Sequence, residues 1–203
     1  SDSFYEKYSK YLKDRGEVKK MALTPLVIDY LNFWIKERGA GHYKFINEIM
    51  FKLYSNEFSS ISEGSKPAYI ETQITMPIIV DYIVDVLFHY TKFKQNGDLN
   101  LREYLNDVFV KIVDIYGFIN VYYPLLELLH NNYFNLNSEK IELFNHLCYI
   151  FKMYLYTPTH LPYNMNEMMN DLKELGKLIH IAINGKKLTT KSSSPMASGI
   201  KTR

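Results

Sequence analysis

The order of helix breaks and aromatic anchors in residues 77–156 constrains the fold of this chain most strongly. Pro77 suits the first turn of a helix, because its missing N–H needs no partner there. Asn96-Gly97-Asp98 is a typical break, and Leu125-Leu126-Glu127 and Tyr133-Phe134 follow it. This succession of short, interrupted apolar segments predicts a stack of antiparallel helices.

Apolar residues recur at helical spacing along most of the chain, and no segment sustains the alternation of a half-buried strand. Thr24 and Ser138 are predicted N-caps, and Asn184-Gly185 is a predicted helix stop. The predicted helices cover about residues 4–21, 24–38, 42–58, 77–94, 101–116, 121–133, 138–156 and 164–183. We therefore predict an all-α fold, an irregular bundle or a solenoid of about eight antiparallel helices.

Length and charge distribution divide the chain into one body and a tail. A chain of 203 residues with 47% hydrophobic residues can bury the core of one ordinary domain, which we assign to residues 1–184. From Gly185 onward there are five basic residues and no acidic one. Residues 185–203 are therefore predicted to be a basic, disordered tail rich in Ser and Lys.

Charge and cysteine usage exclude several classes of protein. The formal net charge of +2 is too small to indicate a nucleic-acid partner. One cysteine, Cys148, rules out an internal disulfide framework and fits a reducing compartment. No apolar run reaches the roughly 18–20 residues of a membrane span, and no signal-peptide pattern is visible. These features predict a cytoplasmic protein.

No group of residues has the pattern of an active site. The histidines at 42, 89, 130, 146, 160 and 180 lack the spacing of metal ligands on one helix turn. Cys148 stands between Leu147 and Tyr149 and is predicted to be a buried, inert thiol. The glycines form no phosphate-binding loop. We expect no enzymatic activity, no cofactor and no metal.

Two sets of lysines are candidates for binding an anionic surface, because each lysine near an anionic bilayer contributes about 1 kcal/mol. Four acidic residues lie among the lysines of the first helix, so an ordinary solvated face is the alternative. The candidates are Lys7, Lys10, Lys13, Lys19 and Lys20 in the first helix, and Lys186, Lys187 and Lys191 in the tail.

Apolar and aromatic residues between Val121 and Tyr156 are candidates for a groove that docks a partner helix. The alternative is that neighbouring helices cover them, since helical apolar stripes usually belong to the core. The candidate groove residues are Leu126, Leu129, Tyr133, Phe134, Phe151 and Tyr154.

Residues 28–162 resemble the second half of ANTH domains, the membrane-adaptor fold of the AP180/CALM and Sla2/HIP1R proteins. The resemblance rests on the helix Ile28–Ile35, on Met76-Pro77-Ile78-Ile79 with Val86-Leu87-Phe88, and on later segments in the family's order. These later segments are Phe109–Tyr116, Pro124-Leu125-Leu126-Glu127, Tyr133-Phe134, Phe144–Phe151 and the two-proline stretch 157–162.

The resemblance implies a non-enzymatic helical module for protein interaction in membrane trafficking, with another protein as partner. An anionic membrane surface is a further candidate partner, so the cytoplasmic protein could be peripheral to membranes. Lys10 and Lys20 have the separation of the first two lysines in the family's phosphoinositide motif. Met21-Ala22-Leu23 stands where that motif has further basic residues.

The alternative is a regulatory or scaffold domain with no membrane role. Leu31-Asn32-Phe33-Trp34, with Lys52-Leu53-Tyr54 and Phe58, is similar to the early helices of regulator-of-G-protein-signalling domains. A helical-repeat fragment of a larger complex belongs to the same class.

Overall fold

The computed structural model describes residue 10 and residues 20–90, 101–157 and 163–185, and in these residues it contains helices and turns but no strand. The all-α prediction is confirmed. Seven helices are described when helices that run through a π-helical turn are counted once. They are α1 (Lys20–Arg38), α2 (Gly41–Tyr54), α3 (Lys66–Ile70, Glu71–Thr75 and Met76–Tyr90), α4 (Leu101–Tyr104, Leu105–Phe109 and Val110–Asn120), α5 (Tyr123–Asn131), α6 (Ser138–Leu155) and α7 (Met165–Asn184).

The larger of two apolar clusters surrounds α6. The buried face of α6 includes Leu147 and Phe151, both fully buried, and α7 packs along the same helix with Leu175. Helices α2 and α5 close the other sides through Ile49 and Leu126. The apolar faces that the sequence places at helical spacing therefore meet around α6.

A smaller cluster joins α1 to the C-terminal half of α3. Leu23, Val27 and Leu31 of α1 lie at i, i+4 and i+8, so they form one face of that helix. They pack against Val80 and Val84 of α3, while Ile70 at the other end of α3 belongs to the larger cluster. Helix α3 thus contributes to both clusters, in agreement with its apolar residues on more than one side.

A π-helical turn inside α3 explains why the predicted start at Pro77 is wrong. The helix begins at Lys66, and Pro77 follows the π-helical turn Glu71–Thr75 without ending the helix. Proline lacks the N–H for an i→i−4 bond, and a π-helical turn changes the hydrogen-bond register just before it. Thr75, in this turn, is fully buried and donates its hydroxyl hydrogen to Asn47 Oδ1 of α2 at 2.6 Å.

The ends of α6 and α7 have local causes. Asn137 rather than Ser138 caps α6, because its side-chain oxygen accepts a hydrogen bond from the Lys140 N–H at 3.1 Å. Helix α7 is capped by Asn164 and ends at Gly185, whose φ of 63° is left-handed, so the predicted stop is confirmed. The predicted N-cap Thr24 is wrong, because α1 already includes Lys20 and both Thr24 and Pro25 lie inside the helix.

Helices α4 and α5 form a bent pair. Gly117 lies inside α4, so the predicted break there is wrong, and the chain turns only at Val121 and Tyr122. Pro124 stands in the first turn of α5, as proline does when its missing N–H has no helical partner. The two helices are bent by 42° at this break.

Candidate functional site

Most residues of the predicted groove are core residues. Leu126 and Phe151 are fully buried, and Leu129 and Tyr154 are each 5% exposed, so these four do not line an open groove. This prediction is wrong because α6, with neighbours on several sides, covers the stripes that the sequence alone leaves unassigned. Tyr133 is half-buried and Phe134 is 96% exposed, so of the six candidates only Phe134 is fully presented to a partner.

The predicted lysine sets are described only in part. Lys10 has a helical backbone and an exposed side chain. Lys20 begins α1, and its Nζ lies 2.5 Å from Oδ1 of Asp85, a residue that is 6% exposed. Lys20 therefore neutralises a nearly buried carboxylate, which reduces the charge it can offer to an anionic surface. Lys7, Lys13 and Lys19, and the tail residues Lys186, Lys187 and Lys191, lie outside the described residues.

An exposed apolar face on α4 was not among the predicted sites. Val110, Val113, Phe118 and Val121 are 54%, 44%, 49% and 71% exposed. Val110, Val113 and Phe118 lie at i, i+3 and i+8 along one side of α4, with Gly117 between them, and Val121, the C-cap residue just after the helix, continues this side. The sequence does contain a signal for this face, because residues 108–115 have more apolar side chains than one buried helix face can hold.

A cavity of about 400 Å³ lies where α2, α3 and α4 meet the end of α6. Its wall is mainly apolar, with isoleucines such as Ile46, Ile79 and Ile112 alternating with aromatic side chains. Most of the residues of α3 and α4 that line it follow the π-helical turns of these helices, whereas Phe109 is the last residue of the second turn and Tyr104 directly precedes that turn. Both turns therefore help to set which side chains face the cavity.

Tyrosine hydroxyls provide most of the hydrogen-bonding groups of the cavity wall. The hydroxyls of Tyr82 and Tyr104 lie 3.0 Å apart and form a hydrogen bond. The hydroxyls of Tyr116 and Tyr156 are buried and have no hydrogen-bond partner among the described residues. Burial, and then the neighbouring Tyr116, raise the pKa of Tyr156, and burial raises that of Tyr163 to about 12. The phenols of Tyr156 and Tyr163 are therefore protonated at neutral pH.

His130 and His146 make structural hydrogen bonds, and Cys148 is a buried thiol. His130 Nε2 lies 2.9 Å from Ser55 Oγ, and burial lowers the pKa of the His130 ring. His146 Nε2 lies 2.9 Å from the carbonyl oxygen of Asp171, which can only accept, so Nε2 carries a hydrogen and joins α6 to α7. Cys148 is buried, and burial raises its thiol pKa to about 12, as expected for an inert thiol.

Two further properties of the described residues bear on the kind of site. They contain no group of three or more His, Cys, Asp or Glu residues that could hold a metal ion. Within the same ranges, no single helix has both the length and the apolarity to cross a membrane. The bent pair Arg102–Asn120 and Tyr123–Asn131 passes this test only when its two helices are taken together.

Comparison of the chain with protein-family models, with curated proteins and with solved structures found no significant match. The resemblance to ANTH domains therefore stays a prediction.

Proposed function

We propose that this protein is a non-enzymatic helical interaction module that docks an amphipathic helix of a partner protein along α4. The observation that carries the proposal is the exposure of Val110, Val113, Phe118 and Val121 on one side of that helix. Contiguous exposed apolar residues on a folded domain are typical of interaction sites, whereas scattered ones need no explanation.

The shape of this α4 face suits a helix. From Val110 to Val121 it extends over about 16 Å at the rise of an α-helix. Gly117 lies in the middle, and a Cβ atom added there would meet nothing within 4 Å. The glycine leaves a flat point where another helix can approach closely, although glycine inside a helix costs about 1 kcal/mol relative to alanine. A helix-in-groove partner would present apolar residues at i, i+3, i+4 and i+7.

The wider setting belongs to the same proposal. We keep an arrangement of about eight antiparallel helices, as a bundle or solenoid, and the adaptor role in membrane trafficking that the ANTH resemblance implies. We also keep a cytoplasmic location, with an anionic membrane surface as a second contact for the basic tail. These parts are supported by the ANTH-like order of the helical segments in residues 28–162, by the basic residues after Gly185 and by the all-helical body.

A capture experiment with matched variants tests the docking face. The full chain is used as bait beside Val110→Gln/Val121→Gln, in which two exposed face residues outside the cavity wall become polar. Ile183→Gln is the control, because Ile183 is 76% exposed and belongs to a different helix, α7. Glutamine is a good helix former, so all three proteins should keep their helix content in circular dichroism.

We expect partners captured by the wild type and by the Ile183→Gln control to be lost with the double variant. Equal recovery by the double variant would refute docking at this face. The class of the lost partner distinguishes the alternative functions. Coat or SNARE components favour a trafficking adaptor, and a GTPase favours a G-protein regulator. Subunits of one large assembly favour a scaffold.

Vesicles test the membrane contact separately. Co-sedimentation with anionic vesicles at low salt should fall when Lys186, Lys187 and Lys191 are changed to Gln, because the electrostatic attraction is lost. Absence of vesicle binding by the wild type would remove the membrane from the proposal and leave the protein partner.

A further inference from the structure

We propose that a second face of the protein, on α7, docks a partner helix whose apolar residues recur at heptad spacing and whose flanking residues are acidic. This face is called the α7 seam, and it consists of Met165, Met169, Leu172, Gly176, Ile179 and Ile183. The α7 seam and the α4 face lie on different helices, so the inference does not depend on the proposed function.

The α7 seam has the spacing of a coiled-coil helix. Its members follow one another at intervals of four, three, four, three and four residues, which is the alternation of the a and d positions in a heptad. The alternation continues from Met165 to Ile183, over about 27 Å of helix. Scattered exposed apolar residues would not stay on one side of a helix over this length. The pattern therefore indicates packing against one long helix.

The α7 seam is open along one edge. Met165, Met169 and Ile183 are 51%, 48% and 76% exposed. Leu172 and Ile179 are half-buried, because they pack against the larger cluster at the inner edge. The main neighbour of α7 is α6, and it leaves these three exposed side chains uncovered. One further helix along the open edge would remove them from water, which favours binding.

The open edge carries positive charge. Lys173 follows a d residue directly, so it takes a heptad position that forms ion pairs with a partner helix. Lys173 is exposed and makes no ion pair with a described residue, whereas Lys177 pairs with Glu174 at 2.8 Å. The stretches on either side of α7, residues 157–162 and 185–203, contain five basic residues and no acidic one. A partner helix with acidic flanks therefore has the complementary charge.

A second copy of this chain lacks that complementary charge. The e and g positions of a coiled-coil helix form the ion pairs with the facing helix. In the α7 seam neither set contains an acid. The e residues are Asn166, Lys173 and His180, and the g residues are Met168, Leu175 and Ala182. Two seams would place Lys173 beside a like charge or beside an uncharged residue, so the charge favours a different, acidic partner.

Fluorescence anisotropy with labelled peptides and the full chain tests the inference. Both peptides consist of three heptads with Leu at a and d, and they have either Glu or Lys at every e and g position. The seam variant is Met169→Gln/Ile183→Gln, and Val110→Gln/Val121→Gln of the α4 face is the matched control. Lys173→Gln tests the charge. All five positions are exposed and glutamine is a good helix former, so helix content in circular dichroism should not change.

We expect the acidic peptide to bind the wild type about fivefold more tightly than the basic peptide at low salt, because attraction replaces repulsion at the open edge. The seam variant should weaken this binding at least about tenfold, since two apolar contacts are lost. The α4 control should bind as the wild type does. Lys173→Gln should reduce the preference for the acidic peptide about two- to fivefold.

Four results would overturn the inference. The first is absence of binding of the acidic peptide to the wild type, and the second is equal or tighter binding of the basic peptide. The third is binding that the seam variant leaves unchanged or that the α4 control weakens. The fourth is a wild-type dimer in sedimentation equilibrium that the seam variant dissociates, because a second copy would then occupy the α7 seam.

Discussion

The same substitution at two tyrosines, two residues apart, should change stability in opposite directions. Tyr154 and Tyr156 are similarly buried, at 5% and 7% exposure. The Tyr154 hydroxyl donates to Asp171 Oδ2 at 2.5 Å, whereas the Tyr156 hydroxyl has no hydrogen-bond partner among the described residues. Replacing either tyrosine by phenylalanine keeps the ring and removes only the hydroxyl, so the difference between the variants isolates the hydrogen bond.

The magnitudes follow from this difference. An unpaired buried hydroxyl costs ~1–3 kcal/mol, so Tyr156→Phe should raise the free energy of unfolding by about 1 kcal/mol. For a chain of this length, that corresponds to an increase in Tm of ~2–4 °C. Tyr154→Phe loses the hydrogen bond from the tyrosine hydroxyl to the Asp171 carboxylate. It should lower the free energy of unfolding by ~1.5–3 kcal/mol.

Urea denaturation followed by far-ultraviolet circular dichroism measures both changes, with calorimetry for the Tm. The slope against urea should stay constant across the variants, because the surface exposed on unfolding is the same. The reasoning is refuted if Tyr156→Phe lowers the free energy of unfolding by 1 kcal/mol or more. Such a loss would mean that the Tyr156 hydroxyl is already hydrogen-bonded in the folded protein.

Three further predictions concern the docking helix, the titration of the half-buried His130 and the core. Gly117→Ala and Gly176→Ala should each raise the free energy of unfolding by ~0.5–1 kcal/mol, because an added Cβ meets nothing within 4 Å at either helical site. Only Gly117→Ala should also weaken partner capture. Equal capture by the two variants would contradict a close approach of the partner helix at Gly117. Because burial lowers the pKa of His130, the unfolded chain binds this proton more readily, so stability should decline as the pH falls below ~6.5. His130→Gln should make the decline of stability between about pH 6.5 and pH 5 shallower in urea denaturation, and an unchanged slope would show that other groups cause it. Phe151→Ala, at a fully buried position in the larger cluster, should lower the free energy of unfolding by ~3–5 kcal/mol, and a loss below about 1 kcal/mol would contradict its central place in the core.

Local signals predicted the ends of helices well where the cause was local. Helix α7 begins after the side-chain cap Asn164 and ends at the left-handed Gly185, and both signals depend on a few neighbouring residues. Pro77 misled the prediction, because the π-helical turn before it lets the helix continue. Buried Thr75 and its hydrogen bond to Asn47 of another helix accompany that turn, and no pattern within α3 contains this contact.

The candidate site was much harder to predict than the fold class. Apolar stripes on α4 and α6 look alike in the sequence, yet Phe151 of α6 is fully buried and Val110 of α4 is 54% exposed. The difference depends on how many neighbouring helices cover each one. The cavity has the same origin, because its wall combines side chains from α2, α3 and α4 with Tyr156, and segments far apart in the chain define its volume.

The sequence by itself determined that this protein is helical, because helix periodicity, caps and stops act over a few residues. Only the tertiary structure decided which apolar faces became core, which one stayed exposed on α4, and that the hydroxyls of Tyr116 and Tyr156 are buried with no hydrogen-bond partner among the described residues. The physical reason is that burial depends on contacts between distant segments, and one helix carries no information about the neighbours that cover it.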